Sequence, residues 1–209
     1  VLSVKIVLKV DKCLCISSFL STFVVLKVSI NILNVYRIMG QYFKGIILSK
    51  NRKEVVASVD PDDFNNGLKF SEHAYIGSRT MLQFEGLIND KDGEFCGYPI
   101  AWSGDYSKPL EGYKDSLYKM SSDEGVKREN LYHQYRYLIN CDKKVFVDMS
   151  YLNEHDTHPL PFLCSDSGNF DEEDEDSLFG KWCLDKIKTS DKRPNINYQE
   201  IIVDNLLRE

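Results

Sequence analysis

A chain of 209 residues is long enough for one well-buried domain with or without an extension. At 43% hydrophobic and 28% charged it is too apolar for a disordered chain and too charged for a polytopic membrane protein. The net charge of −6 divides into +4 on residues 1–38 and −10 on residues 39–209, and a body that acidic, with its lysines set among acids as in Asp142-Lys143-Lys144, argues against direct contact with nucleic acid.

Residues 13–26, CLCISSFLSTFVVL, form an uncharged, largely apolar run between Lys12 and Lys27. As a helix it would rise only about 21 Å, short of a hydrocarbon core of roughly 30 Å. A basic start and an apolar stretch also suit a signal peptide, but no small-x-small cleavage site follows. Residues 1–38 contain no Ala, Gly, Pro or Glu, the palette of non-coding sequence read in frame. The expectation is a poorly packed N-terminal extension over 1–38, one domain over 39–209 opening at Met39, and no membrane association.

Gln41 to Ser49 reads as a strand, Asn51-Arg52-Lys53 as a turn and Glu54 to Val59 as the return strand of a hairpin. A loop follows through Asn66-Gly67, and Ser71 could cap a short helix. Ser78 opens a better helix, apolar at Met81, Leu82, Phe84 and Leu87 with Glu85 on the polar side, ending near Asn89. Glu94 to Trp102 is a strand whose Pro99 predicts an edge or a bulge. Residues 107–130 are a polar excursion with one short helix. Tyr132 to Asn140 and Val145 to Met149 make the clearest hairpin, around Cys141-Asp142-Lys143-Lys144. Residues 153–168 form a loop, Asn169 to Asp176 an acidic run, Gly180 to Lys188 a strand candidate, and Asn197 to Leu207 a last strand or strand plus turn. Hairpins without a βαβ rhythm predict an α+β fold with a mainly antiparallel sheet and one or two packed helices.

The six cysteines form no Cys-x-x-Cys pair and read as reduced, mostly buried thiols of a cytoplasmic protein. Four constellations could carry chemistry. His155-Asp156-x-His158, with Asp148 upstream, could ligate a divalent metal, or could be a polar loop whose side chains cap backbone groups. Glu72-His73 near Asp60, Asp62 and Asp63 offers an acid-oriented imidazole for general-base catalysis, but no nucleophile at a Gly-x-Ser-x-Gly elbow. Trp102-Ser103-Gly104-Asp105-Tyr106 could present Trp102, Asp105 and Tyr106 as a binding rim at a strand end, or be a turn built on Gly104 and Asp105. Asp171-Glu172-Glu173-Asp174-Glu175-Asp176 is a solvated loop or a phosphate-like surface that draws a basic partner. Neither GxxxxGK[ST] nor GxGxxG occurs, so no nucleotide cofactor is expected, and no other cofactor either.

From Met39 the chain reads MGQYFKGIILSKNRKEV, then FNNGLKFSEHAYIGS and IAWSGDYS. These stretches resemble a family of small bacterial and phage proteins that open MGQYY or MGQYF. The matching residues are Gly67, Lys69, Phe70, Glu72, His73, Ile76 and Gly77, then Trp102, Gly104, Asp105 and Tyr106, with Phe70 and Ala74 standing where the family has Leu and Ser. KKVFVDMS, HPLPFLCSDSGNF and GKWCLDKI resemble later blocks, so the likeness covers most of 39–209 and none of 1–38. It brings no activity with it. By association it implies a phage- or mobile-element-type accessory protein. Together with the charge, the expectation is a non-enzymatic protein acting by contact with a host protein. That partner would be a basic, nucleic-acid-handling one of the defence, CRISPR or restriction kind. The alternative is a metal-dependent hydrolase using His73, Asp105, His155 and His158.

Overall fold

The computed structural model describes residues 41–121, 125–126, 133–167 and 178–203. The 1–38 extension, the Met39 boundary, the acidic run of 171–176 and residues 204–209 lie outside them, so the readings made on those stretches receive no structural account.

The first hairpin forms as expected from its two strands and polar turn. β1 (Phe43–Leu48) and β2 (Val55–Val59) pair antiparallel from Gly45 opposite Val59 to Leu48 opposite Val55. Every residue of β1 is buried, because both faces of the strand are covered. Phe43 and Ile47 belong to the main core, whereas Ile46 and Leu48 pack in a second cluster with Val55, Ala101 and Leu117. After β2, Asp60 caps a 3-10 turn (Pro61–Phe64) by accepting the Asp62 amide at 3.1 Å. The short helix α1 (Phe70–His73) starts at Lys69, not at Ser71, which lies inside it. The reason is Glu72, whose Oε2 accepts the Lys69 amide at 3.0 Å.

Helix α2 (Arg79–Ile88) begins as expected, with the Ser78 hydroxyl accepting the Met81 amide at 3.1 Å. It ends at Asn89, whose side chain donates to the Gly86 carbonyl and accepts the Lys91 and Asp92 amides. Glu85 corrects the reading of this helix: it is 1% exposed and lies in the core.

β3 (Tyr98–Gly104) pairs with β1 on one side and β6 (Lys186–Ser190) on the other. It is therefore central, not an edge strand. Pro99 stands opposite Lys186 of β6, where the neighbouring Ile100 amide makes the bond to the Asp185 carbonyl, and on the other side the β1 ladder has ended at Ile100 opposite Ile47. The excursion after β3 contributes helix α3 (Leu117–Met120), which covers the second face of β1 and β3. β4 (Tyr137–Asn140) and β5 (Val145–Asp148) form the second predicted hairpin. Helix α4 (Pro159–Leu163) interrupts the expected 153–168 loop. Its two prolines fall in the first turn, where a missing amide proton costs nothing. β6 begins later than the strand expected from Gly180, and β7 (Gln199–Glu200) adds parallel to β5.

The fold is thus α+β, with seven mostly antiparallel strands in one mixed sheet of order β2-β1-β3-β6-β4-β5-β7. Two charged clasps join its halves where both hairpin turns lie. Arg52 bonds the Leu184 carbonyl at 2.9 Å and Asp142 at 2.8 Å, and Lys143 pairs with Asp185. At the opposite end β6 has run out, and the segment Cys164–Asp166 takes its place beside β3. The Trp102 amide donates to the Cys164 carbonyl at 2.8 Å, and the Asp166 amide to the Trp102 carbonyl at 3.0 Å. No helix among the described residues is long and apolar enough to cross a membrane.

Candidate functional site

β3 ends at Gly104 in a turn closed by the Ser107 amide on the Gly104 carbonyl at 3.0 Å. The next residue is tied to the start of β1 by a reciprocal pair. The Asp105 amide donates to the Tyr42 carbonyl at 2.9 Å, and Asp105 Oδ1 accepts the Tyr42 amide at 3.1 Å. This pair sets two aromatic side chains at the surface: Tyr106 is 72% exposed and Tyr42 45%. Tyr118 flanks them, with Lys44 Nζ 4.3 Å from its ring centre and 3.5 Å from Asp60. Burial, with Asp60, Asp105 and Tyr42 nearby, pushes the Tyr118 phenol up. Trp102 is not part of this rim. It is fully buried, edge-on to Phe84 at 5.2 Å, so its place in the expected binding set belongs to Tyr42.

Below the turn lies Asp166, 6% exposed. Its carboxylate accepts the Ser107 hydroxyl at 2.6 Å, the Gly104 amide at 3.3 Å and the Ser103 hydroxyl. Ser107 Oγ lies 3.3 Å from Ser167 Oγ, which donates to Gln41 Oε1 at 3.3 Å. The packing leaves no room for a side chain at 104: a Cβ there would sit 2.9 Å from Gln41 Oε1 and 3.1 Å from both Phe43 and Ser167. Burial pushes the Asp166 carboxyl up to about 6, against the three donors that hold it down. A buried carboxylate kept at a turn under exposed side chains marks the place as a functional candidate.

His73 is fully buried, and both its ring nitrogens are engaged. Nδ1–H donates to the Gly67 carbonyl at 2.9 Å, and Nε2 accepts the Trp102 indole N–H at 3.2 Å. That set of partners fixes the neutral Nδ1 tautomer, and burial holds the group down to about 4. Glu72 caps α1 and does not orient the ring. His73 therefore joins α1 to β3 and has no free nitrogen for a substrate, so the general-base option that Glu72-His73 offered is not taken up.

His158 is likewise buried at 1%. Its Nδ1 accepts the Leu160 amide at 3.1 Å as the cap of α4, which leaves Nε2–H to donate to Glu85 Oε1 at 2.6 Å. Glu85 Oε2 accepts the Tyr135 amide at 3.2 Å, so the carboxylate is satisfied from two sides. His155 instead is exposed, at a φ of +74°, with its ring 5.5 Å from that of Tyr75. The two histidines of the loop thus serve different surroundings and do not converge. Asp148 is held down to about 2 by Arg136, which contacts it through two nitrogens at 2.8 and 3.1 Å, and Asp156 accepts the Asn153 amide. Among the described residues no group of three or more His, Cys, Asp or Glu could hold a metal ion.

Comparison with protein-family models, with curated proteins and with solved structures finds no match to this chain. The site is accordingly defined by its own geometry: a surface of Tyr42, Asp105 and Tyr106 on a turn held by Asp166. Sequence reasoning reached Asp105 and Tyr106 but missed Tyr42, Asp166 and the serines. The one available signal was the serine-flanked acid in LCSDSG, read as loop, and nothing in spacing links residue 166 to residue 103.

Proposed function

We propose that this chain is a non-enzymatic contact protein whose surface of Tyr42, Asp105 and Tyr106 engages another protein. The observation that carries the reading is the pairing of two exposed tyrosines with a carboxylate on a turn fixed from below. Tyrosine offers a large, stiff contact area with a polar tip, which suits it to interfaces. Among the described residues only one Asp105 oxygen accepts a hydrogen bond, from Tyr42, which leaves the other for a cation from a partner. The charge of −10 on residues 39–209 favours a basic partner, and Coulomb attraction would raise the association rate at low salt. A nucleic-acid-handling protein of a host cell has the required charge, in keeping with an accessory protein of phage or mobile-element type. The free thiols of Cys96, Cys141, Cys164 and Cys183 support a reducing, cytoplasmic setting. The hydrolase alternative loses support because His73 and His158 each use both ring nitrogens within the fold.

A photo-crosslinking residue at position 106, compared with one at exposed Ile196, tests this reading in host lysate. The expected result is a discrete adduct specific to position 106 and weakened by salt. Equal, diffuse labelling from both positions would refute it.

A further inference from the structure

Asp166 has features that the contact reading does not use. Its three donors, the hydroxyls of Ser103 and Ser107 and the amide of Gly104, all belong to the end of β3 and the turn that displays Asp105 and Tyr106. Among the described residues no Lys, Arg or His bonds it. The titratable groups facing it are few. Cys183 lies close enough for Asp166 to raise its thiol, adding to the effect of burial. Asp185, which acts on the same thiol, is engaged by Asn140 and Lys143, and Asp105 on the turn is engaged by Tyr42.

The hydrogen-bond directions depend on the charge. As a carboxylate, Asp166 accepts from all three donors. With a proton taken from solvent on Oδ1, that oxygen becomes a donor to Ser107 Oγ, 2.6 Å away. Ser107 must then turn its own proton elsewhere, and the acceptor at hand is Ser167 Oγ at 3.3 Å. Ser167 in turn donates to Gln41 Oε1 at 3.3 Å. The Gly104 amide cannot rotate, but it already shares its proton between Ser107 Oγ at 3.1 Å and the carboxylate at 3.3 Å, so it keeps an acceptor when the carboxyl is protonated. One proton therefore reverses the Asp166–Ser107 bond and turns the Ser107 hydroxyl onto Ser167, which keeps its own bond to Gln41, the residue before Tyr42.

We propose that Asp166, Ser107 and Ser167 form a proton-sensitive relay that couples the Gly104–Ser107 turn, and through the Asp105–Tyr42 pair the Tyr42 and Tyr106 surface, to pH. The relay works near neutral pH because burial brings the carboxyl to about 6. Its effect on a partner rests on the contact reading above, whereas the relay itself is visible without any partner.

The test is a backbone amide NMR titration of the full chain from pH 4.5 to 7.5. The Gly104, Ser107 and Tyr106 amides are expected to share one midpoint near pH 6. Asp166→Asn should abolish that midpoint. Ser107→Ala removes a partner from both forms, and because the bond to the carboxylate is the stronger it should still raise the midpoint. Flat amide shifts, a midpoint that survives Asp166→Asn, or one that Ser107→Ala leaves in place would overturn the relay. Should Asp166→Asn not fold, the Ser107→Ala shift decides alone. Loss of the position-106 adduct with an intact midpoint would refute the contact reading and leave the relay standing.

Discussion

Acidification from pH 7 to pH 4.5 sets two buried groups against each other. His73 sits at about 4 in the fold against 6.5 in an open chain, so between those values the unfolded chain binds the extra proton. Stability that His73 supplies above pH 6.5 is therefore lost as pH falls towards 4. At pH 4.5 the loss works out at about 2.5 kcal/mol, from 1.36 kcal/mol per pH unit. Asp166 has the opposite sign. It sits at about 6 in the fold against 3.8, so the folded chain binds the proton between them, and stability present below 3.8 is lost as pH rises through 6. Moving to pH 4.5 regains about 2 kcal/mol from this group. In the wild type the two nearly cancel. Asp166→Asn removes the compensating term and should lose about 2 kcal/mol more stability on acidification than wild type, whereas His73→Asn should lose about 2.5 kcal/mol less than wild type. Urea denaturation of all three proteins at both pH values provides the measurement, and taking differences from wild type cancels the groups they share. Identical pH dependence in all three proteins would refute the assignment of these charges.

Gly45→Ala tests the close approach of β1 to the core, since a Cβ there would lie 2.5 Å from the Phe84 ring and 2.6 Å from Trp102. It should cost about 1–3 kcal/mol in urea denaturation, and an unchanged midpoint would contradict the packing described. His158→Ala strips the buried Glu85 carboxylate of one donor and should cost about 3–5 kcal/mol, part of it recovered when Glu85→Leu is added. Arg52→Ala opens an exposed clasp and should cost under about 1 kcal/mol, less still at high salt.

The elements that the sequence disclosed are those whose determinants are local. β4 and β5 alternate around a polar turn, and Ser78 stands directly before the apolar face of α2. The errors share a different cause: the deciding partner is far along the chain. Glu85 looked solvent-facing because its partner, His158, lies 73 positions away on another element. Pro99 looked like an edge marker because the end of the β1 ladder is set by tertiary pairing. Residues 153–168 were read as a loop, although Pro159 and Pro161 both fit the first turn of α4. The same rule governs the site. Asp105 and Tyr106 were legible because strand end, glycine and acid are contiguous. Asp166 was not, because it reaches Ser103 across 63 positions only when residues 164–166 replace β6 beside β3. For the three imidazoles the sequence left chemistry beside a structural role, and the structural role holds: two of them are core connectors, His158 also capping a backbone amide, and the third is a turn residue on the surface.

The contact surface is the central claim, and affinity purification with matched variants tests it most directly. Wild type, Tyr106→Ala, and Arg193→Ala as a remote control are used as bait in host lysate at low and high salt. The account predicts a partner retained by wild type and the control, weakened at high salt, and bound about tenfold or more weakly by Tyr106→Ala at unchanged melting temperature. The same partners held equally well by Tyr106→Ala would contradict it.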